Sequence, residues 1–168
     1  MYDYVIQIAL DRTSQTYVQN LRNCIRQNSI VDRQRGWLPH ITVDKYNCKN
    51  EKNLINKITE IVSDIKVFKF NVSGFSSFSG ETLYLKPDKP DEIIELKNKF
   101  DKGLSRYRLS KELRRKEYNP HITICTNDRL EDSIQVLMNY FSSFEVFVSK
   151  IWLYTEDMRL VKEWELNL

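Results

Sequence analysis

Apolar and polar residues alternate along residues 3–10, which predicts a strand, and the period then lengthens. Val18, Leu21 and Ile25 recur at helical spacing after a Thr13/Ser14 start signal, and a loop with Arg33, Arg35, Gly36 and Trp37 follows. Ile41 and Val43 belong to a short strand opened by Pro39, and Leu54, Ile58, Ile61, Val62 and Ile65 mark one face of a second helix. A strand over 67–75 enters a Ser/Gly-rich turn at 76–80, and residues 82–86 return beside it. Pro90 and Asp91 open a third helix with Ile93, Leu96, Phe100 and Leu104 on its inner face, and a basic stretch runs to Tyr118. A strand begins at Pro120, Leu130, Ile134, Leu137, Met138 and Phe141 build the last helix, and two strands close the chain, about 144–154 and 160–166. The alternation is of α+β type.

Both halves of this pattern read strand, helix, short Pro-led strand, helix, strand. The echo becomes literal at one place, where residues 39–42 and 120–123 both spell Pro-His-Ile-Thr, each followed by a β-branched residue, Val43 or Ile124. These two words contain both histidines of the chain.

Side chains of a strand alternate faces, so His40 and Thr42 project together while Ile41 and Val43 anchor the opposite face, and His121 and Thr123 do the same in the second half. Packed about an approximate twofold axis, the halves bring two imidazoles and two hydroxyls to one point. An imidazole titrates near ~6.5, so one ring can accept a proton while a second donates one, as in-line displacement at phosphorus requires. The Thr42 and Thr123 hydroxyls can donate to the non-bridging oxygens, and the scheme needs no metal. A lone strand histidine is ordinarily satisfied by backbone, and a lone threonine is ordinarily a good β-former; the matched pair shifts the balance toward catalysis. Which histidine acts as base stays open.

The duplicated HxT pattern, His40-Ile41-Thr42 and His121-Ile122-Thr123, resembles the signature of the two-histidine (2H) phosphoesterases, the LigT-like or 2′-5′ RNA ligase-like proteins. The opening strand and helix, the turn at Ser76 to Phe78, the Leu83-Tyr84-Leu85 strand and the closing strand pair extend the likeness over nearly the whole chain. The resemblance implies a bilobal, duplicated α+β fold. Its two antiparallel-sheet lobes, roughly 1–75 and 81–168 of one domain, are related by a pseudo-twofold axis, with outer helices around a central cleft. It also implies metal-independent chemistry on 2′,3′-cyclic or 2′-5′ phosphodiesters, with the histidines catalytic and the threonines holding phosphate.

At 168 residues, with 41% hydrophobic and 29% charged residues, the chain is long enough for one compact unit and is not disordered. Cys24, Cys48 and Cys125 stand at long spacings without a CxxC pair, so neither a disulfide framework nor a zinc site is signalled. No GxxxxGK loop is present for ATP, and two histidines at this spacing fall short of the ligand set of a metallophosphodiesterase. The first residues read as a strand and not as a signal peptide, and no apolar run approaches the ~20 residues of a membrane span, so a cytoplasmic monomer is expected.

A net charge of +3 is small, but residues 102–118 hold seven Lys or Arg against two Glu. Arg115 in that stretch, and Arg35 before the first motif, are candidate contacts for an RNA, oligonucleotide or cyclic nucleotide; a solvated basic face is the plainer alternative. Trp37 and Tyr118, close before each motif, are candidate base-stacking residues, with core or rim packing as the alternative. Asp44, about 13 Å along the strand from His40 at roughly 3.3 Å per residue, is expected outside the phosphate contacts. The expected activity is cleavage of 2′,3′-cyclic or 2′-5′ phosphodiesters without a cofactor. ATP-independent 2′-5′ ligation, or RNA binding without turnover, are the alternatives.

Overall fold

The computed structural model describes residues 1–28, 30–33, 36–109 and 117–168. Arg35, Arg115 and their neighbours in the basic stretch lie outside the described residues, so the charge expected there is not placed.

The first strand, β1 (Tyr4–Ala9), has five consecutive buried residues, as a strand covered on both faces must. Helix α1 (Arg12–Gln27) starts earlier than the Thr13/Ser14 signal suggests. Asp11 is its N-cap, accepting hydrogen bonds from the Ser14 amide at 3.0 Å and the Ser14 hydroxyl at 2.7 Å, so Ser14 is the partner of the cap and not the cap itself. Strand β2 (His40–Tyr46) carries the first motif, and α2 (Glu51–Val62), capped by Asn50, buries Leu54, Ile58 and Val62 and ends before Ile65.

Strand β3 (Phe68–Phe78) is longer than expected, because the reversal into β4 (Thr82–Pro87) is a tight turn at Ser79 and Gly80. Both have positive φ, 52° and 69°, and the Glu81 amide donates to the Phe78 carbonyl at 3.0 Å, so the chain reverses within residues 79–81 and Ser76, Ser77 and Phe78 pair with β4. Helix α3 (Asp91–Gly103) leads through a 3-10 turn (Ser105–Tyr107) toward β5 (Ile122–Thr126), which carries the second motif. In α4 (Leu130–Tyr140) the inner face is Ser133 and Leu137; Met138 is exposed and Phe141 lies past the helix end.

The expected single strand over 144–154 is two strands, β6 (Phe144–Val148) and β7 (Lys150–Thr155), which belong to different sheets; β8 (Leu160–Glu165) follows. One antiparallel sheet has the order β2-β1-β7-β8 and the other β5-β4-β3-β6. The lobes therefore do not divide near residues 75–81. The strand from Phe68 already belongs to the second sheet, and the chain returns after Ser149 to complete the first.

The helices exchange sides in the same way. Helix α1 packs on α4, β5 and β6 of the second sheet, whereas α3 packs on α2, which lies against β8 of the first. Gly103 makes the α2–α3 contact possible, since a Cβ at that position would collide with the Ile61 side chain. The two motif strands β2 and β5 are edges of their own sheets and lie against each other, so the pseudo-twofold axis runs between the two HxT words. Among the described residues no helix is long and apolar enough to cross a membrane.

Candidate active site

The alternation read from the sequence is present in both motifs. Ile41, Val43, Ile122 and Ile124 are buried, while His40, Thr42, His121 and Thr123 are half-exposed on the other face. His40 is the first residue of β2, and His121 stands one residue before β5. Each motif strand carries a bulge immediately after its threonine. Gln7 faces Thr42 and Ile6 faces Asp44, with Val43 as the extra residue; Tyr84 faces Thr123 and Leu83 faces Cys125, with Ile124 as the extra residue. Such a bulge re-aims the residues that follow it. The histidine and threonine thus share one orientation, and Asp44 and Cys125 take another.

The two imidazoles are held alike. His40 Nδ1 lies 2.7 Å from the Leu38 carbonyl and His121 Nδ1 lies 2.7 Å from the Asn119 carbonyl, in each case the residue before the proline. The proline ring fixes the backbone angle between carbonyl and imidazole, so the clamp is encoded in the Pro-His pair. In a neutral ring the Nδ1 proton is donated to that carbonyl, and the Nε2 lone pair is left for chemistry. In the first motif the Thr42 hydroxyl is 3.2 Å from His40 Nε2, oriented to donate to it.

The walls around the two rings differ. Trp37 stands edge-to-face to His40 with centroids 5.8 Å apart, and Tyr154 meets Trp37 at 5.3 Å. His121 is flanked by Phe78 at 4.9 Å and Tyr84 at 5.2 Å, which stack on each other at 4.1 Å. Burial pushes the His40 pKa down to about 4, with the Leu38 carbonyl opposing and the charges of Arg22, His121 and Lys45 adding to the depression. His121 is thus near enough to His40 for the two to feel each other's charge, and His40 is neutral at pH 7.

Two residues that the apolar periodicity passes over complete the site. Arg22, only 3% exposed, donates from Nη1 to the Trp37 carbonyl at 2.7 Å and from Nη2 and Nε to the Thr123 carbonyl at 2.7 and 3.3 Å. Lys97, only 7% exposed, donates to Asp44 at 2.7 Å and also pairs with Asp101, which Arg108 approaches to 3.4 Å. Asp44 is therefore charge-paired with a cation of α3. The sequence does hold a signal for both: Arg22 stands four residues after Val18, and Lys97 four after Ile93, each a cation within an otherwise apolar stripe.

Tyr118 donates its hydroxyl to the Thr42 carbonyl at 3.0 Å, and the Lys97 ammonium lies 5.6 Å from its ring centre. Its hydroxyl pKa is raised by burial, so it stays a donor. The geometry makes Tyr118 a strut between the motifs and sets Trp37 beside His40, and both residues are half-exposed. Cys125 is buried, its thiol pushed up by burial and bonded by Asn127 at 3.3 Å, an arrangement unsuited to a nucleophile. A cavity of about 720 Å³ opens at the Tyr4 end of β1, away from His40 at the Ala9 end, and Asp3, Lys49, Glu156 and Asp157 are among its lining residues.

The fold is a duplicated, two-lobed α+β arrangement, with the two HxT words on edge strands that lie against each other. The family model of the 2′-5′ RNA ligase superfamily matches residues 9–159, and the chain belongs to that superfamily of 2H phosphoesterases. No curated protein sequence matches it. The fold is similar to Escherichia coli LigT complexed with 3′-AMP, with a TM-score of 0.69, 14% identity and 99% of each chain covered. It is also similar to TT0787 of Thermus thermophilus, with a TM-score of 0.70, 12% identity and 98% and 97% of the two chains covered. Usb1 of Kluyveromyces marxianus with uridine monophosphate aligns at a TM-score of 0.54, 12% identity and coverage of 98% and 97%.

Proposed function

We propose that this protein is a phosphodiesterase that opens 2′,3′-cyclic phosphates or cleaves 2′-5′ linkages at RNA or oligonucleotide ends, with His40 and His121 moving the protons. The observation that carries this reading is the matched clamp of the two rings, Nδ1 on the carbonyl two residues back, on edge strands that meet.

His40 is neutral at pH 7, and once a bound phosphate draws the Thr42 hydroxyl from Nε2 to a non-bridging oxygen, the freed lone pair is suited to take the proton of the attacking water. His121, on the opposing strand, then gives a proton to the departing ribose oxygen. For a 2′,3′-cyclic phosphate one P–O bond forms to water, one breaks to the 2′- or 3′-oxygen, and the product is a monoester. Thr42 and Thr123 donate to the non-bridging oxygens, and substrate charge raises the proton affinity of both rings as it binds. The half-exposed indole of Trp37 beside His40 supports stacking on the neighbouring base, and Arg35 and Arg115 keep their expected role as contacts for the nucleic-acid backbone. Proton transfer and charge stabilisation are then supplied by side chains, so the reaction is expected to proceed in excess chelator. With the 5′-hydroxyl of a second strand in place of water, the same groups would form a P–O5′ bond, break the P–O3′ bond of the cyclic phosphate and release the 3′-hydroxyl, giving a 2′-5′ linkage without ATP.

A panel of nucleoside 2′,3′-cyclic monophosphates and 2′-5′- and 3′-5′-linked dinucleotides, followed by phosphorus NMR, tests the proposal. Turnover of a cyclic or 2′-5′ substrate in EDTA is the expected result. Nucleotide binding with no product from any of them, or activity abolished by EDTA, contradicts it.

A further inference from the structure

The carbonyl of each motif threonine is held by a side chain from the other half of the molecule. Thr42 accepts from Tyr118, the third residue before His121. Thr123 accepts from Arg22, and the same guanidinium holds the carbonyl of Trp37, the third residue before His40. Tyr118 and Trp37 occupy the same place in the two halves. One acts through its own hydroxyl, and the other through a guanidinium reaching across from α1.

We infer that Arg22 is a positioning residue for both histidines: its fork ties the segment before the first motif to the strand of the second, sets the spacing of the two rings, and places a positive charge behind them. The inference rests on the two-histidine reading above. The fork matters because two carbonyls on different segments need donors in fixed, divergent directions, which a planar guanidinium has and an ammonium lacks. The charge matters because both acceptors are neutral. Asp32, the carboxylate that acts on Arg22, is itself paired with Arg26 at 3.3 Å and accepts from the Thr126 amide at 3.0 Å. Burial accordingly pushes the Arg22 pKa down to about 10, leaving it cationic at neutral pH.

The charges that act on His40 come from Arg22 on α1, His121 beside the second motif, and Lys45 on its own strand. Asp44 and Asp101, the acidic groups on the Lys97 side, are taken up by Lys97 and Arg108. Among the described residues the charges that act on the His40 ring are positive, and a phosphodiester brings negative charge when it binds.

The variants Arg22→Lys, Arg22→Met and Tyr118→Phe separate the fork from the charge. Two readouts are used, steady-state turnover of adenosine 2′,3′-cyclic monophosphate and NMR titration of the histidine rings in labelled protein without substrate. Arg22→Lys is expected to lower kcat about 10-fold or more with little change in KM, as a small misplacement of reacting groups does, while the His40 titration stays low. Arg22→Met is expected to raise the His40 midpoint by about one unit, since a like charge has been removed. Tyr118→Phe, which loses the reciprocal strut, is expected to lower kcat by a smaller factor.

Wild-type kcat in Arg22→Lys, or an unmoved His40 midpoint in Arg22→Met, overturns the inference. If Arg22→Met does not fold, the kcat and KM of Arg22→Lys decide alone. If the wild-type protein turns over none of the cyclic or 2′-5′ substrates, the phosphodiesterase reading fails, and the ring titrations still decide whether Arg22 acts on His40.

Discussion

Arg22 and Lys97 hold the same place in the two halves. In α1 the inner stripe is Val18, Leu21, Arg22 and Ile25, and in α3 it is Ile93, Leu96, Lys97 and Phe100, so a cation follows the second apolar residue in both. Each helix crosses to the other half, and each cation reaches that half's motif strand, Arg22 at Thr123 and Lys97 at Asp44. Their electrostatic roles are opposite. Lys97 is surrounded by Asp44 and Asp101 and contributes no net charge to the cleft, whereas Arg22 meets carbonyls and keeps its charge. A duplicated fold has thus kept two matching imidazole clamps while making the field around them one-sided. At His40 the positive charge of Arg22 adds to burial in lowering the ring's proton affinity.

The largest effect is expected where the halves are alike. His40→Ala and His121→Ala should each lower turnover of a cyclic or 2′-5′ substrate by at least ~10²-fold with the fold retained, as loss of a general acid or base does. Steady-state rates together with circular dichroism check both statements.

Next comes the balanced cluster. Lys97→Met leaves Asp44 and Asp101 with Arg108 as their remaining cation and should destabilise the protein by about 3 kcal/mol, the lower end for a broken buried pair because Arg108 and some solvent contact remain. Denaturant unfolding reads this, and adding Asp44→Asn should recover part of the loss. Full stability in Lys97→Met would mean that the two cations are not distinguished by their carboxylates.

Replacing Thr42 or Thr123 by Val should cost about 10-fold in kcat each, near the value of one lost charge-assisted hydrogen bond. Only Thr42→Val should also disturb the His40 ring titration, since its hydroxyl lies on Nε2.

A further effect is on stability against pH. His40 titrates at about 4 in the folded chain and near ~6.5 unfolded, so across that window the unfolded chain binds the additional proton and stability falls as the pH is lowered. His40→Asn should flatten this slope, and chemical unfolding at pH 4.5, 5.5 and 7 measures it.

Much of this site is legible in the amino-acid sequence. Four repeated letters locate both imidazoles and both hydroxyls, and the alternation of a strand aligns them, because those features are local. Proline before each histidine also carries the carbonyl clamp. What local pattern does not hold is long-range pairing. Residues 144–154 look like one apolar strand, and only the sheets' own closure sends β6 to one side and β7 to the other. The Ser76–Phe78 segment looks like a turn because of its serines, but the positive φ values fall at Ser79 and Gly80, and that moves the turn. Arg22 and Lys97 escape notice because apolar periodicity counts only apolar residues. A cation within such a stripe is the sign to look for, since its burial demands partners from another element.

The most direct test of the account is the rate of 2′,3′-cyclic phosphate opening by the wild type, the two single His→Ala variants and the double variant, with EDTA present throughout. The account predicts that each single variant loses at least ~10²-fold and that the double variant loses little more, because the two rings serve one proton-transfer event. A single variant that retains the wild-type rate would contradict it.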